Sequence, residues 1–112
     1  MSRRRLAGLD LGRTPREVVL QRTRIAGLRH HPGERLWRRL GNGEPLQLRR
    51  EPDNPHDPLA VALYWRGIML GYLPRRENLV AARMLDHQRC LQARVIRVLP
   101  DSEVRIELKM AA

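Results

Sequence analysis

Residues 45–74 read PLQLRREPDNPHDPLAVALYWRGIMLGYLP, and three strands can be counted in them before the rest of the chain is considered. Leu46 and Leu48 alternate with Gln47 and Arg49, the period of two that a half-buried strand requires. A proline-rich loop, EPDNPHDP, interrupts the pattern from Glu51 to Pro58. Two apolar runs follow, LAVALYW and IMLGYLP, separated by Arg66-Gly67, which is the turn chemistry of a tight hairpin. A chain whose centre is strand, loop, strand, turn, strand has no room there for alternating β-α units, so the fold is expected to be mainly β.

The flanks agree. Upstream, VVLQRTRIAGL (18–28) carries β-branched residues and little helix signal, so it reads as a strand broken near Gly27. ERLWRRLGNG places Leu36, Trp37 and Leu40 at helical spacing, but it is short and ends in Gly-Asn-Gly, which supports one helical turn with Trp37 as a core plug. Downstream, RRENLVAARMLD (75–86) sets Leu79, Ala82 and Leu85 at i, i+3, i+6 beside Val80 and Met84, the pattern of a helix with that apolar face. CLQARVIRVLP and EVRIELKM then read as two strands joined by a PDSE hairpin loop, with Cys90 expected to open an inward-facing strand. Six short strands and one or two short helices point to a small OB-like or SH3-like antiparallel β-barrel, because closure removes edges that would pair with other chains.

Length and charge bound the function. At 112 residues there is room for one domain with a modest core, expected over 17–112 behind a flexible basic arm at 1–16. No apolar run approaches the length that spans a bilayer, and Asp10 and Gly12 interrupt the N-terminal stretch before it becomes a signal core, so no membrane association and a cytoplasmic, nucleoid-associated location are the expectations. The formal charge is +10, and Lys109 is the only lysine. A GC-rich genome would explain arginine over lysine, but not the net charge. A field of that sign attracts polyanions, and arginine forks onto phosphate with two hydrogen bonds, so nucleic acid is the first partner to consider.

Local chemistry accounts for the proline loop as a stiff connector. Its prolines fix φ, Asn54 and Asp53 suit Asx turns, and Asp57 would bond a backbone N–H or pair with Arg49 or Arg50. Four histidines beside two aspartates also suggest a metal. His30 and His31 are adjacent, however, and on a strand would point to opposite faces, as would His56 and Asp57, so no metal or other cofactor is expected. Serine occurs only at Ser2 and Ser102, and no activated nucleophile stands near a histidine in sequence, so binding rather than catalysis is expected.

Three segments in order, GLRHH at 27–31, GEPLQLRREPDNPHDPLAVAL at 43–63 and GIMLGYLPRREN at 67–78, resemble the HIRAN domain. The resemblance implies a modified OB-like barrel that binds single-stranded DNA by capturing a free 3′ end, stand-alone here as in bacterial members. No P-loop is present, so the ATPase activity of larger members does not carry over. By position in the motifs, Arg29 matches a backbone-contacting arginine and His30 an aromatic that stacks on the terminal base. Asn54 belongs to the loop core, His56 stands at a second stacking position, and Asp57 matches the carboxylate that accepts a hydrogen bond from the 3′-hydroxyl. Tyr72 falls near the phosphates, and Arg75 and Arg76 near a phosphate-contacting lysine. Both stacking positions carry histidine, a smaller ring than tyrosine, so phosphate contacts should dominate. The expected role is a sensor or recruiter in DNA repair or replication, and a monomer is expected. The alternatives are a protein-interaction module offering an edge strand or the Trp37 surface to a helicase or nuclease, and RNA binding by the same basic surface.

Overall fold

The computed structural model describes residues 17–111, with the backbone alone for Arg29, residues 32–34 and Ala111. The arm expected over residues 1–16 lies outside the described residues. Six strands fall where the alternation places them: β1 (Glu17–Arg24), β2 (Pro45–Glu51), β3 (Ala60–Trp65), β4 (Ile68–Tyr72), β5 (Leu91–Val98) and β6 (Val104–Ala111). A helix, α1 (Leu79–Asp86), and short 3-10 segments at Leu28–His30, Pro32–Arg39 and Arg75–Glu77 complete the described residues. All pairings are antiparallel and the strands form one sheet, in the order β1-β6-β5-β2-β3-β4.

The β3–β4 hairpin turns at Arg66 and Gly67, which have φ of 50° and 81°, the two positive values that a twist-matched two-residue turn requires. No ladder of hydrogen bonds closes the sheet into the expected barrel. The segment just after β1 meets the end of β4 at one isolated bridge, where the Ala26 N–H donates to the Tyr72 carbonyl at 2.8 Å and the Tyr72 N–H donates back at 2.9 Å. Gly71 permits that approach. A Cβ built there would run into the Ala26 carbonyl oxygen and lie 2.9 Å from Ile25 Cγ2. The OB-like curl is therefore completed by one close backbone contact.

Inside the curl, Val61, Leu63, Leu70, Val95, Ile106 and Leu108 are fully buried. Each of these aliphatic side chains contributes about 1.5–3 kcal/mol by leaving water. Trp65 is the buried tryptophan, its indole N–H donating to Glu44 Oε1 at 2.9 Å. Trp37 is half-buried at the core's rim, with the Arg38 guanidinium 5.3 Å from its ring centre.

Two expectations are corrected. The helix begins at Leu79 rather than Arg75, and its buried face is Ala81 and Ala82, while Leu79 and Val80 are about half exposed. Small residues face inward because α1 lies close against the sheet; Leu85 packs at the core's edge as expected, whereas Leu79 and Val80 are left outside. Cys90 is exposed and precedes β5, whose ladder opens with Leu91 opposite Met110. Among the described residues no helix is long and apolar enough to cross a membrane.

Candidate nucleic-acid interface

The proline loop is wound about two of its own side chains. Asn54 Oδ1 accepts from the backbone N–H groups of His56 (2.8 Å) and Asp57 (3.2 Å), an Asx turn that substitutes for missing backbone partners. Asp57 repeats the device one step on, its Oδ1 accepting from the Leu59 N–H at 2.9 Å. Oδ2 reaches out of the loop to accept from Asn78 Nδ2 at 2.8 Å. Asn78 is buried and caps the start of α1, its carbonyl accepting from the Ala82 N–H at 2.9 Å.

Those donors hold the Asp57 carboxyl below its ordinary range: first the Leu59 N–H, opposed by partial desolvation, then the Asn78 amide and the charges of Arg75 and Arg50. Asp57 is thus an oriented anion, and each oxygen keeps a lone pair beyond the fixed bonds. Arg50 is not its ion-pair partner. That guanidinium forks onto Asp86 at 2.8 and 3.2 Å, and Arg49 lies 4.1 Å over the Tyr64 ring.

Tyr72, at the end of β4, forms the opposite side of the loop's anchorage. Its hydroxyl donates to Glu51 Oε1 at 2.9 Å, and Asn54 Nδ2 donates to the same oxygen at 2.9 Å. Burial first, and then the neighbouring Glu51 carboxylate, push the Tyr72 phenol above its ordinary value. With its proton committed to Glu51, Tyr72 presents a ring rather than a hydroxyl donor. His31 meets that ring edge-on at 5.5 Å.

Beneath the loop lies a cavity of about 560 Å³, of the size that takes a small ligand or a single nucleotide. Six of the residues expected from the motifs line it: His30, Asn54, His56, Asp57, Tyr72 and Arg75. Leu73, Ala60 and Ala26 give it apolar surface. Arg76 is placed elsewhere, in a depression with Leu20, Leu79 and Val80. The Arg29 side chain lies outside the described residues; its backbone is in the Leu28–His30 turn.

His31 is the wall residue that the motif reading passed over. Strand alternation would send it away from His30, but Gly27, at φ 74°, turns the chain into a 3-10 segment, and both imidazoles line the cavity. His56 and Asp57 likewise share it, being on a turn rather than a strand. Among the described residues no group of three or more His, Cys, Asp and Glu is placed to hold a metal ion.

The family model for the HIRAN domain matches residues 18–111, nearly the whole described chain. The chain belongs to the HIRAN-domain family. HIRAN domains are nucleic-acid-binding modules, binding rather than catalytic units. Two solved structures share the HIRAN fold seen here. A Lactobacillus plantarum protein from a structural genomics consortium superposes with a TM-score of 0.78 at 22% identity, over 87% of this chain and 97% of its own. The HIRAN domain of human HLTF superposes with a TM-score of 0.66 at 20% identity, over 85% of this chain and 80% of its own. No curated protein matches the chain by sequence.

Proposed function

We propose that this HIRAN domain binds single-stranded DNA by its free 3′ end, with the terminal nucleotide in the cavity beneath the proline loop. The observation that carries the reading is the Asp57 carboxylate, ionised and fixed by Leu59 and Asn78 in the wall of a cavity that also holds Arg75 and three histidines. A terminal 3′-hydroxyl brings a proton that this carboxylate accepts, whereas a 3′-phosphate brings only negative charge, so one fixed anion attracts the first and repels the second. His30 and His56 supply ring faces for the base, and Arg75, with Arg29, supplies charge for the preceding phosphates. Tyr72 acts as wall rather than donor. Such a module serves as a sensor or recruiter at exposed strand ends in repair or replication.

Fluorescence anisotropy with labelled oligonucleotides ending in 3′-hydroxyl, 3′-phosphate or a blunt duplex, in DNA and RNA series at two salt concentrations, tests this. The 3′-hydroxyl single strand should bind tightest, by about tenfold over the 3′-phosphate, as one charge-assisted hydrogen bond implies. Equal affinity for the two ends would leave generic charge binding instead, and a preference for the RNA series would reassign the substrate.

A further inference from the structure

The cavity opens onto more positive charge than one nucleotide needs. On the outer face of the sheet, Arg24 of β1 lies directly opposite Arg105 of β6, and Arg105 directly opposite Arg97 of β5. Residues paired in register point to the same side, so three guanidinium groups stand abreast over roughly 10 Å, two strand spacings. Like charges directly opposite destabilise a sheet. Glu103 holds Arg105 at 3.0 Å, but among the described residues neither Arg24 nor Arg97 forms an ion pair. Further along this face Arg22 and Lys109 both pair with Glu107.

The triplet is continuous with the cavity. Gly27 and His30 line the cavity and also a second, more polar depression that Arg24 shares with Asp101 and Glu103. Glu103 then lines a third depression together with Arg97 and Arg105. A groove thus leads from the cavity mouth past His30 and Arg24 to Arg105 and Arg97.

We propose that Arg24, Arg105 and Arg97 form a phosphate track that carries the backbone of the same strand, 5′ of the nucleotide in the cavity. The proposal rests on reading the cavity as a strand-end site. Arginine suits the task because its fork grips successive phosphates, and a β face with a charged row suits a sugar-phosphate backbone better than a protein partner. The acidic residues of the groove set its limits: Glu103 is already spanned by Arg105, and Asp101 Oδ1 is engaged by the Glu103 N–H at 3.3 Å.

The test compares a dinucleotide with a single strand of about twelve nucleotides, within the range one OB-type surface covers. It is run on the parent chain, on Arg24→Gln/Arg97→Gln/Arg105→Gln, and on a control that removes three exposed arginines outside this face, Arg39→Gln/Arg83→Gln/Arg89→Gln. The track variant should bind the dinucleotide as the parent does and the long strand at least tenfold more weakly, with the slope of log K against log salt reduced by about 2, that is ~0.7 for each of three phosphates. Thermal melts should show it folded. An unchanged affinity and salt slope for the long strand, or an equal loss in the control, would overturn the proposal. The two readings fail separately: loss of 3′-hydroxyl preference with the length effect intact removes the end site and leaves the track, and the reverse removes the track and leaves the end site.

Discussion

Asp57 and Asn78 are joined by a 2.8 Å hydrogen bond across 21 residues of chain, and that bond ties the proline loop to the N-cap of the helix. The same carboxylate is proposed to read the strand end, so removing it outright would confound a lost ligand contact with a loosened loop. Exchanging the pair separates them. In Asp57→Asn/Asn78→Asp, the amide introduced into the loop keeps an oxygen for the Leu59 N–H and donates to the carboxylate introduced at the N-cap, a favourable position for an acid. Asn78→Ala alone should cost about 1–3 kcal/mol, the usual loss for a buried hydrogen bond. The exchange should recover most of that in a denaturant melt and yet lose the 3′-hydroxyl preference. Retention of the preference in the exchanged variant would remove Asp57 from recognition.

The acid limb of stability follows from the same carboxylate. Its folded pKa is lowered from the ordinary value of 3.8 by the Leu59 N–H and then by Asn78 and two arginines, so its contribution is complete above that value and is lost as pH falls through the folded one. Asp86, lowered chiefly by its hydrogen bond from Arg50, acts in the same direction. Denaturant midpoints measured from pH 6 down to pH 2 should therefore fall below about pH 4, the carboxylate range. Asp57→Asn should flatten the fall, and adding Asp86→Asn should flatten it further. An identical acid limb in the parent and the double variant would refute the assignment.

The strands were legible because their signals are local: Leu46 against Gln47, Val104 against Arg105, and Arg66-Gly67 between two apolar runs fix both type and place. Closure was not, because it depends on Ala26 meeting Tyr72 across 46 positions, and nothing in the sequence marks Gly71 as more than a turn glycine. Helix orientation failed for a related reason. Periodicity offers Leu79, Ala82 and Leu85 for the core; Ala82 is buried and Leu85 packs at the core's edge, but Ala81 takes the inward place and Leu79 is left about half exposed. The loop's acids were visible as a cluster, whereas the clamp on one of them, Asn78, lies on another element and shows only as a polar residue ahead of an apolar run. His31 was hidden by the assumption of a strand.

Gly71 carries a prediction of its own. Gly71→Ala puts a methyl against the Ala26 carbonyl, a backbone atom that cannot turn aside, and against Ile25. The bridge from Ala26 to Tyr72 must open, and Tyr72 with it, so the variant should lose about 3 kcal/mol, at the upper end of overpacking costs. Gly67→Ala is the comparison: its φ of 81° is strained for alanine, but no atom lies within 4 Å of the added methyl. Gly67→Ala should therefore cost about 1 kcal/mol, the typical αL penalty. Equal melting temperatures for the two variants would mean that closure contributes little.

His56 is exposed on the loop, and its backbone N–H, not its ring, makes the turn's hydrogen bond to Asn54. Its side chain is therefore free to change without disturbing the fold. If the ring stacks on a base, His56→Ala should weaken binding of a 3′-hydroxyl oligonucleotide by about tenfold, within the 1–3 kcal/mol that stacking supplies. His56→Tyr, with a larger face on the same turn, should tighten it severalfold, and neither variant should move the melting temperature by more than about 2 °C, as expected of an exposed position. Weakening by tyrosine as well as by alanine would mean that the imidazole contributes charge or a hydrogen bond rather than a stacking surface.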